Sequence, residues 1–170
     1  MAERWVVNAS PIILLARAGV IGFLPRLCDE LVVPAGVVGE VQDGSTSDCG
    51  RAWLRGEGGR FVRPAPPMHP LLLNWRGGAG EAEVISWALD NLGFTAILDD
   101  RRARALAASN GVTVLGSLRV IVLARQRGFI PAAKPALEKL RGAGAWVSDD
   151  LIDRAIALAG ESRTDRQLFG

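Results

Sequence analysis

Two adjacent carboxylates, Asp99 and Asp100, follow the apolar run Phe94-Thr95-Ala96-Ile97-Leu98 and precede the arginine-rich stretch RRARALAASN. A buried strand that ends in an acid pair aims charge at the edge of the sheet, where ligands collect in open α/β folds. Asp100 is equally suited to cap the helix that follows, and Asp99 to be a solvated turn residue. What decides between these readings is whether other elements deliver acids to the same edge. Asn8 follows a first apolar run, Glu40 lies on the helix after a second, and Glu81 and Glu83 stand at a helix start. Carboxylates brought to one point repel one another unless a divalent cation neutralises them. Oxygen donors without His or Cys suit Mg2+ or Mn2+. Such ions lower the pKa of a bound water and hold a phosphodiester for in-line attack, which is the chemistry of a nuclease or, more broadly, of phosphoryl transfer.

The elements that must position these residues are legible in outline. Trp5, Val6 and Val7 read as a short buried strand, Ser10 and Pro11 as the N-cap and first residue of a helix ending at Gly19. A turn role for Asn8 is the ordinary alternative. A short helical piece leads to the strand LVVP, and Val37, Val38 and Val41 then fall at helical spacing, with Glu40 beside the stripe. After a weak helix around RAWLRG, the prolines of RPAPPMHP predict an extended connection over residues 63–70. A helix from Glu81 to Gly93 carries its two glutamates in the first turn, where they also suit the helix dipole. Beyond the acid pair come a strand VTVL, a helix capped by Ser117, a helix over 134–141, an edge strand over 145–147 and a helix capped by Ser148 that ends at Gly160. Strand and helix alternate throughout, which predicts an α/β fold with a central, mostly parallel sheet covered on both faces. Residues 1–160 form one domain in this reading, and residues 161–170 a loose C-terminal tail.

Composition narrows the field further. With 170 residues the chain suits one domain with a full core. No apolar run is long enough to cross a bilayer and Glu3 interrupts any signal-peptide pattern, so a cytoplasmic protein is expected. A formal charge of +2 is too small to argue nucleic-acid binding from bulk electrostatics. The two cysteines are far apart and the single His69 cannot complete a zinc site.

In the order VVNASPIILLARAG, LVVPAGVVGEV, GEAEVISWAL, ILDDRRAR and VLGSLRVIVLARQRG, the chain resembles the PIN domain, in particular the VapC-like branch of toxin ribonucleases. The resemblance implies an α/β/α sandwich and a ribonuclease site dependent on Mg2+ or Mn2+. The family's first acid falls on Asn8, the glutamate of its second helix on Glu40, the next acid on Glu81 with Glu83 competing, and the acids after the following strand on Asp99 and Asp100, Asp100 being preferred. Ser10 would stand beside the site. Asn8 keeps an oxygen but gives up a charge, which weakens metal binding. Glu40, Glu81 and Asp100 are accordingly the expected catalytic residues, with Asn8 and Asp99 completing the metal ligands. Arg101, Arg102 and Arg104 could grip RNA or form a solvated helix face. RNA and a cognate antitoxin are the implied partners, with a homodimer through the apolar helices 117–128 and 148–160 as a further expectation unless those faces are core. A PIN-like module that binds RNA or protein without cutting is the alternative that Asn8 favours. A response-regulator-like enzyme fits worse, because it needs acids after the first strand, where this chain has Asn8-Ala9-Ser10.

Overall fold

Runs such as Trp5-Val6-Val7 and Leu31-Val32-Val33 are buried along their whole length, so neither face of the sheet they form meets water. That is the signature of a parallel sheet between helical layers. The computed structural model describes residues 2–44 and 48–161. Its strands β1 (Arg4–Val7), β2 (Glu30–Pro34), β3 (Val62–Arg63), β4 (Phe94–Ile97) and β5 (Thr113–Leu115) form a sheet of order β3-β2-β1-β4-β5. All four neighbouring pairs are parallel. The helices are α1 (Ala9–Arg17), α2 (Leu24–Leu27), α3 (Ala35–Asp43), α4 (Asp48–Arg55), α5 (Ala79–Asp90), α6 (Arg101–Ser109), α7 (Ser117–Gln126), α8 (Ala133–Gly142) and α9 (Asp149–Leu158), with short 3-10 turns between some of them. The α/β/α architecture is therefore the one expected, with every strand parallel.

Right-handed crossovers put the connection β1-α1-β2 on one face and β4-α6-β5 on the other. Accordingly α1 touches α7 and α8 in one layer, whereas α5 packs on α6 and against β1, β2 and β4 in the other. Helix α3 touches both α1 and α5, which brings it across the carboxyl edge of the sheet. The chain reverses its direction of travel between β1 and β4, so the crevice of the fold opens at the ends of these two strands. No single helix among the described residues is long and apolar enough to cross a membrane.

Several local expectations are corrected. Helix α1 begins at Ala9 with Asn8 in the capping position, so Ser10 lies inside the first turn and caps nothing. Ser117 is likewise the first residue of α7, preceded by Gly116. Val62 and Arg63 pair with Val33 and Pro34 as an edge strand just ahead of the prolines. Residues 145–147 form no strand. Ala145 N–H closes the end of α8 on Leu140 O (3.2 Å), and Val147 turns inward while Trp146 turns outward, so the three apolar residues belong to an anchored loop. Ser148 does cap α9, accepting from Leu151 N–H at 3.3 Å. The apolar faces of α7 and α9 are core, with Val120, Ile121, Val122, Ile152, Ala155 and Ile156 buried. Glu161 is the last described residue, and its carboxylate accepts from Arg125 Nε–H and Ala133 N–H at 2.9 and 2.6 Å, clasping α7 to the start of α8. The remainder of the expected tail lies outside the described residues.

Candidate functional site

The register that pairs Val7 with Ile97 carries the chain one residue further to Asn8, whose N–H donates to Ile97 O at 3.2 Å. Asn8 is thereby fixed at the crevice beside the end of β4. Its side chain makes no cap bond, the residue is 4 % exposed, and Oδ1 has no hydrogen-bond partner among the described residues. A buried carbonyl left in this way costs about 1–3 kcal/mol, which a donor or a cation would recover.

Two acids face the same place. Glu40 reaches from α3 and accepts Gly80 N–H on Oε1 at 2.7 Å. Glu81, in the first turn of α5, accepts Gly78 N–H on Oε2 at 2.8 Å. Gly80 makes this approach feasible, since a Cβ there would lie 2.6 Å from Glu40 Oε2 and 3.0 Å from Asn8 Oδ1. Asn8, Ser10, Arg17, Glu40 and Glu81 line one cleft of about 460 Å³, closed on one side by Ala143 and Gly144.

Burial pushes the Glu81 carboxyl above its ordinary value against the pull of Gly78 N–H; the charges of Asp100 and Glu40 push the same way, and Arg102 opposes them. A raised folded-state pKa contributes stability that is complete below the unfolded value and lost as pH rises through the folded one. In chelator, Glu81→Gln is therefore expected to flatten the fall in stability between the ordinary glutamate pKa and the raised one. Urea midpoints measured across that interval check this, and an unchanged slope in the variant would refute it.

The remaining expected residues divide. Asp100 caps α6, its Oδ1 accepting Ala103 N–H at 2.8 Å, and lies near enough to Glu81 to act on its titration. Asp99 gives both oxygens to Ser117, accepting its N–H at 2.8 Å and its Oγ–H at 2.6 Å, and lines a neighbouring groove with Arg101 and Arg104. Glu83 accepts Gly36 N–H at 2.9 Å and so clasps the first turn of α3, whereas Glu81 faces the cleft. Arg102 lies over the Trp75 ring, 5.7 Å from its centre. Arg17, absent from the expected set, also lines the cleft and donates to Ala143 O at 2.5 Å. The signal was available: Ser10, Ile13, Leu14 and Arg17 follow an i, i+3, i+4, i+7 stripe on α1, and all four line the cleft.

Among the described residues no three His, Cys, Asp or Glu side chains close into a metal cage. The carboxylates are instead held open by backbone N–H groups, each of which engages one oxygen of Glu40, Glu81 and Asp100. The donors that face the cleft are all oxygens, and the orphaned Asn8 Oδ1 among them fits a hard cation such as Mg2+ or Mn2+. Cysteine chemistry has no comparable setting. Burial, with the charges of Asp29 and Glu3 adding to it, pushes the Cys28 thiol up to about 12.

No curated protein and no solved structure matches the chain. The family model DUF3368: PIN domain does, over residues 4–161, a span that starts with β1 and ends on the glutamate that clasps α7 to α8, and by that match the chain belongs to the PIN-domain family.

Proposed function

We propose that the protein is a metal-dependent endoribonuclease that cleaves RNA phosphodiester bonds in the cytoplasm, as the toxin of a VapC-like toxin–antitoxin pair. PIN domains are in general metal-dependent nucleases. The observation that carries the reading is the meeting of Asn8, Glu40 and Glu81 in one cleft at the crevice of the sheet, around a buried amide oxygen without a partner. Glu40, Glu81, Asp100 and Asn8 would hold Mg2+ or Mn2+. When bound, the ion supplies Lewis acidity to the phosphoryl oxygens and lowers the pKa of water. The chain's own residues do the rest. Gly78 and Gly80 N–H groups hold the glutamates in place, Asp99 fixes the start of α7, and Arg17 offers a cation to a phosphate entering between α1 and α8. An antitoxin would lay a segment with a basic side chain across the same acids, and gene neighbourhood would identify it.

The test is cleavage of a mixed RNA substrate by purified protein with Mn2+ or Mg2+ against an EDTA control. Metal-dependent cutting is expected, and its absence overturns the catalytic reading. Asn8 favours a second reading, a weakened module that binds RNA or a protein partner, and Asn8→Asp separates the two. In EDTA the variant is expected to melt below wild type, because a buried carboxylate joins two others. Metal should then raise its Tm more than that of wild type by about 3–6 °C, the equivalent of tenfold tighter binding in a domain this size. A gain in cleavage means a weakened enzyme; silence despite metal binding supports the module.

A further inference from the structure

Beside the acidic cleft opens a second groove of about 590 Å³, and Leu14 lines both. Arg101, Arg104 and Arg119 stand on its walls, and none of them enters an ion pair among the described residues. The one acid in its lining, Asp99, has both oxygens engaged by Ser117. At the groove stands Trp146, 92 % exposed although its neighbour Val147 is buried and Ala145 N–H is bonded to α8. An indole so exposed adds nothing to the core, and the segment bearing it is anchored on both sides. Uncompensated guanidiniums match backbone phosphates, and a free indole face matches a base that has left its stack. A duplex keeps its bases paired and stacked inside and cannot offer one.

We infer that this groove holds single-stranded RNA next to the cleavage cleft, with one base stacked on Trp146 and its phosphates on Arg101, Arg104 and Arg119. The inference rests on the ribonuclease reading, yet it is tested without catalysis. Fluorescence anisotropy in EDTA, where nothing is cut, compares a short labelled single strand with the same sequence as a duplex. The single strand is expected to bind more tightly. Trp146→Ala should weaken it about tenfold, the loss of one stacked base, while Trp146→Phe keeps most of the affinity. Arg104→Ala with Arg119→Ala should shallow the salt dependence by about 0.7 in log–log slope for each phosphate no longer neutralised. Trp146 is almost wholly in solvent, so its variants test the stacking and not the fold. Absent binding, a Trp146→Ala variant that binds as wild type, or a duplex bound equally well overturns the inference. Binding as expected without metal-dependent cutting strikes the nuclease reading alone.

Discussion

Asp100→Asn is expected to leave the protein folded and to reduce metal-dependent RNA cleavage by on the order of a hundredfold or more, the scale on which losing one preorganised charge-stabilising group in a reaction centre is felt. The substitution separates two roles that meet in one side chain. Asp100 Oδ1 caps α6 through Ala103 N–H, and an asparagine oxygen caps about as well as an aspartate oxygen. What the amide lacks is the charge. Its loss at the N-terminus of α6 costs about 0.3–1 kcal/mol through the helix dipole, too little to unfold the domain. Asp100→Ala would remove the cap as well, at about 1 kcal/mol, and confound the two roles. The asparagine variant also removes a charge that holds the Glu81 carboxyl up, so Glu81 should ionise at lower pH in it. Single-turnover cleavage alongside a thermal melt decides the matter. A variant that melts like wild type and cuts within about threefold of it would leave Asp100 as a cap alone, since that difference is under 1 kcal/mol in the barrier.

The sheet is readable because a strand buried on both faces is a nearly continuous apolar run, as are Trp5-Val6-Val7, Leu31-Val32-Val33 and Phe94 to Leu98, where Thr95 is the one polar residue and is itself buried. Their polar ends, Asn8 and the Asp99-Asp100 pair, then had one place to go. The choice between Glu81 and Glu83 was not readable for a geometric reason. Two residues along a helix are about 200° apart, so one must face away from what the other faces, and a helix start uncertain by a turn cannot say which. The structure starts α5 at Ala79, which turns Glu81 to the cleft and Glu83 to the backbone of Gly36. The bond of Asp99 to Ser117 spans 18 residues and depends on the packing of β4 beside β5, which no local pattern carries. Trp146 and Val147 show the opposite error: a short apolar run that reads as an edge strand is an anchored loop with one residue turned in and one turned out. The groove that this loop walls depends on the packing of α7, α8 and α9 against one another, which no local pattern carries.

Glu161→Ala should be among the most destabilising substitutions outside the core, although sequence patterning assigns that residue to a loose tail. Its side chain is 6 % exposed and Arg125 29 %, so the pair is largely sheltered from solvent. The same Oε1 takes Arg125 Nε–H and Ala133 N–H, the latter a donor in the first turn of α8 that has no partner within the helix. Truncation leaves a half-sheltered guanidinium and an orphaned N–H at once. Arg125 retains some access to water, which places the loss near the lower end of the range for broken buried pairs, about 3 kcal/mol. For a domain of this size that is about 6–12 °C in Tm. Glu161→Gln should fall between, since its amide oxygen can still accept from Ala133 while Arg125 loses its counter-charge. Moderate salt should change the wild-type value little, because screening acts weakly on sheltered pairs. Urea titration of the three proteins reads the result directly. A loss below about 1 kcal/mol for Glu161→Ala would put the interaction in the class of surface ion pairs and remove it as the clasp between α7 and α8. The expected loss would instead show that α8 is held at both ends, by Glu161 at its start and by Arg17 on Ala143 beyond its last turn, and that the second hold reaches the wall of the acidic cleft.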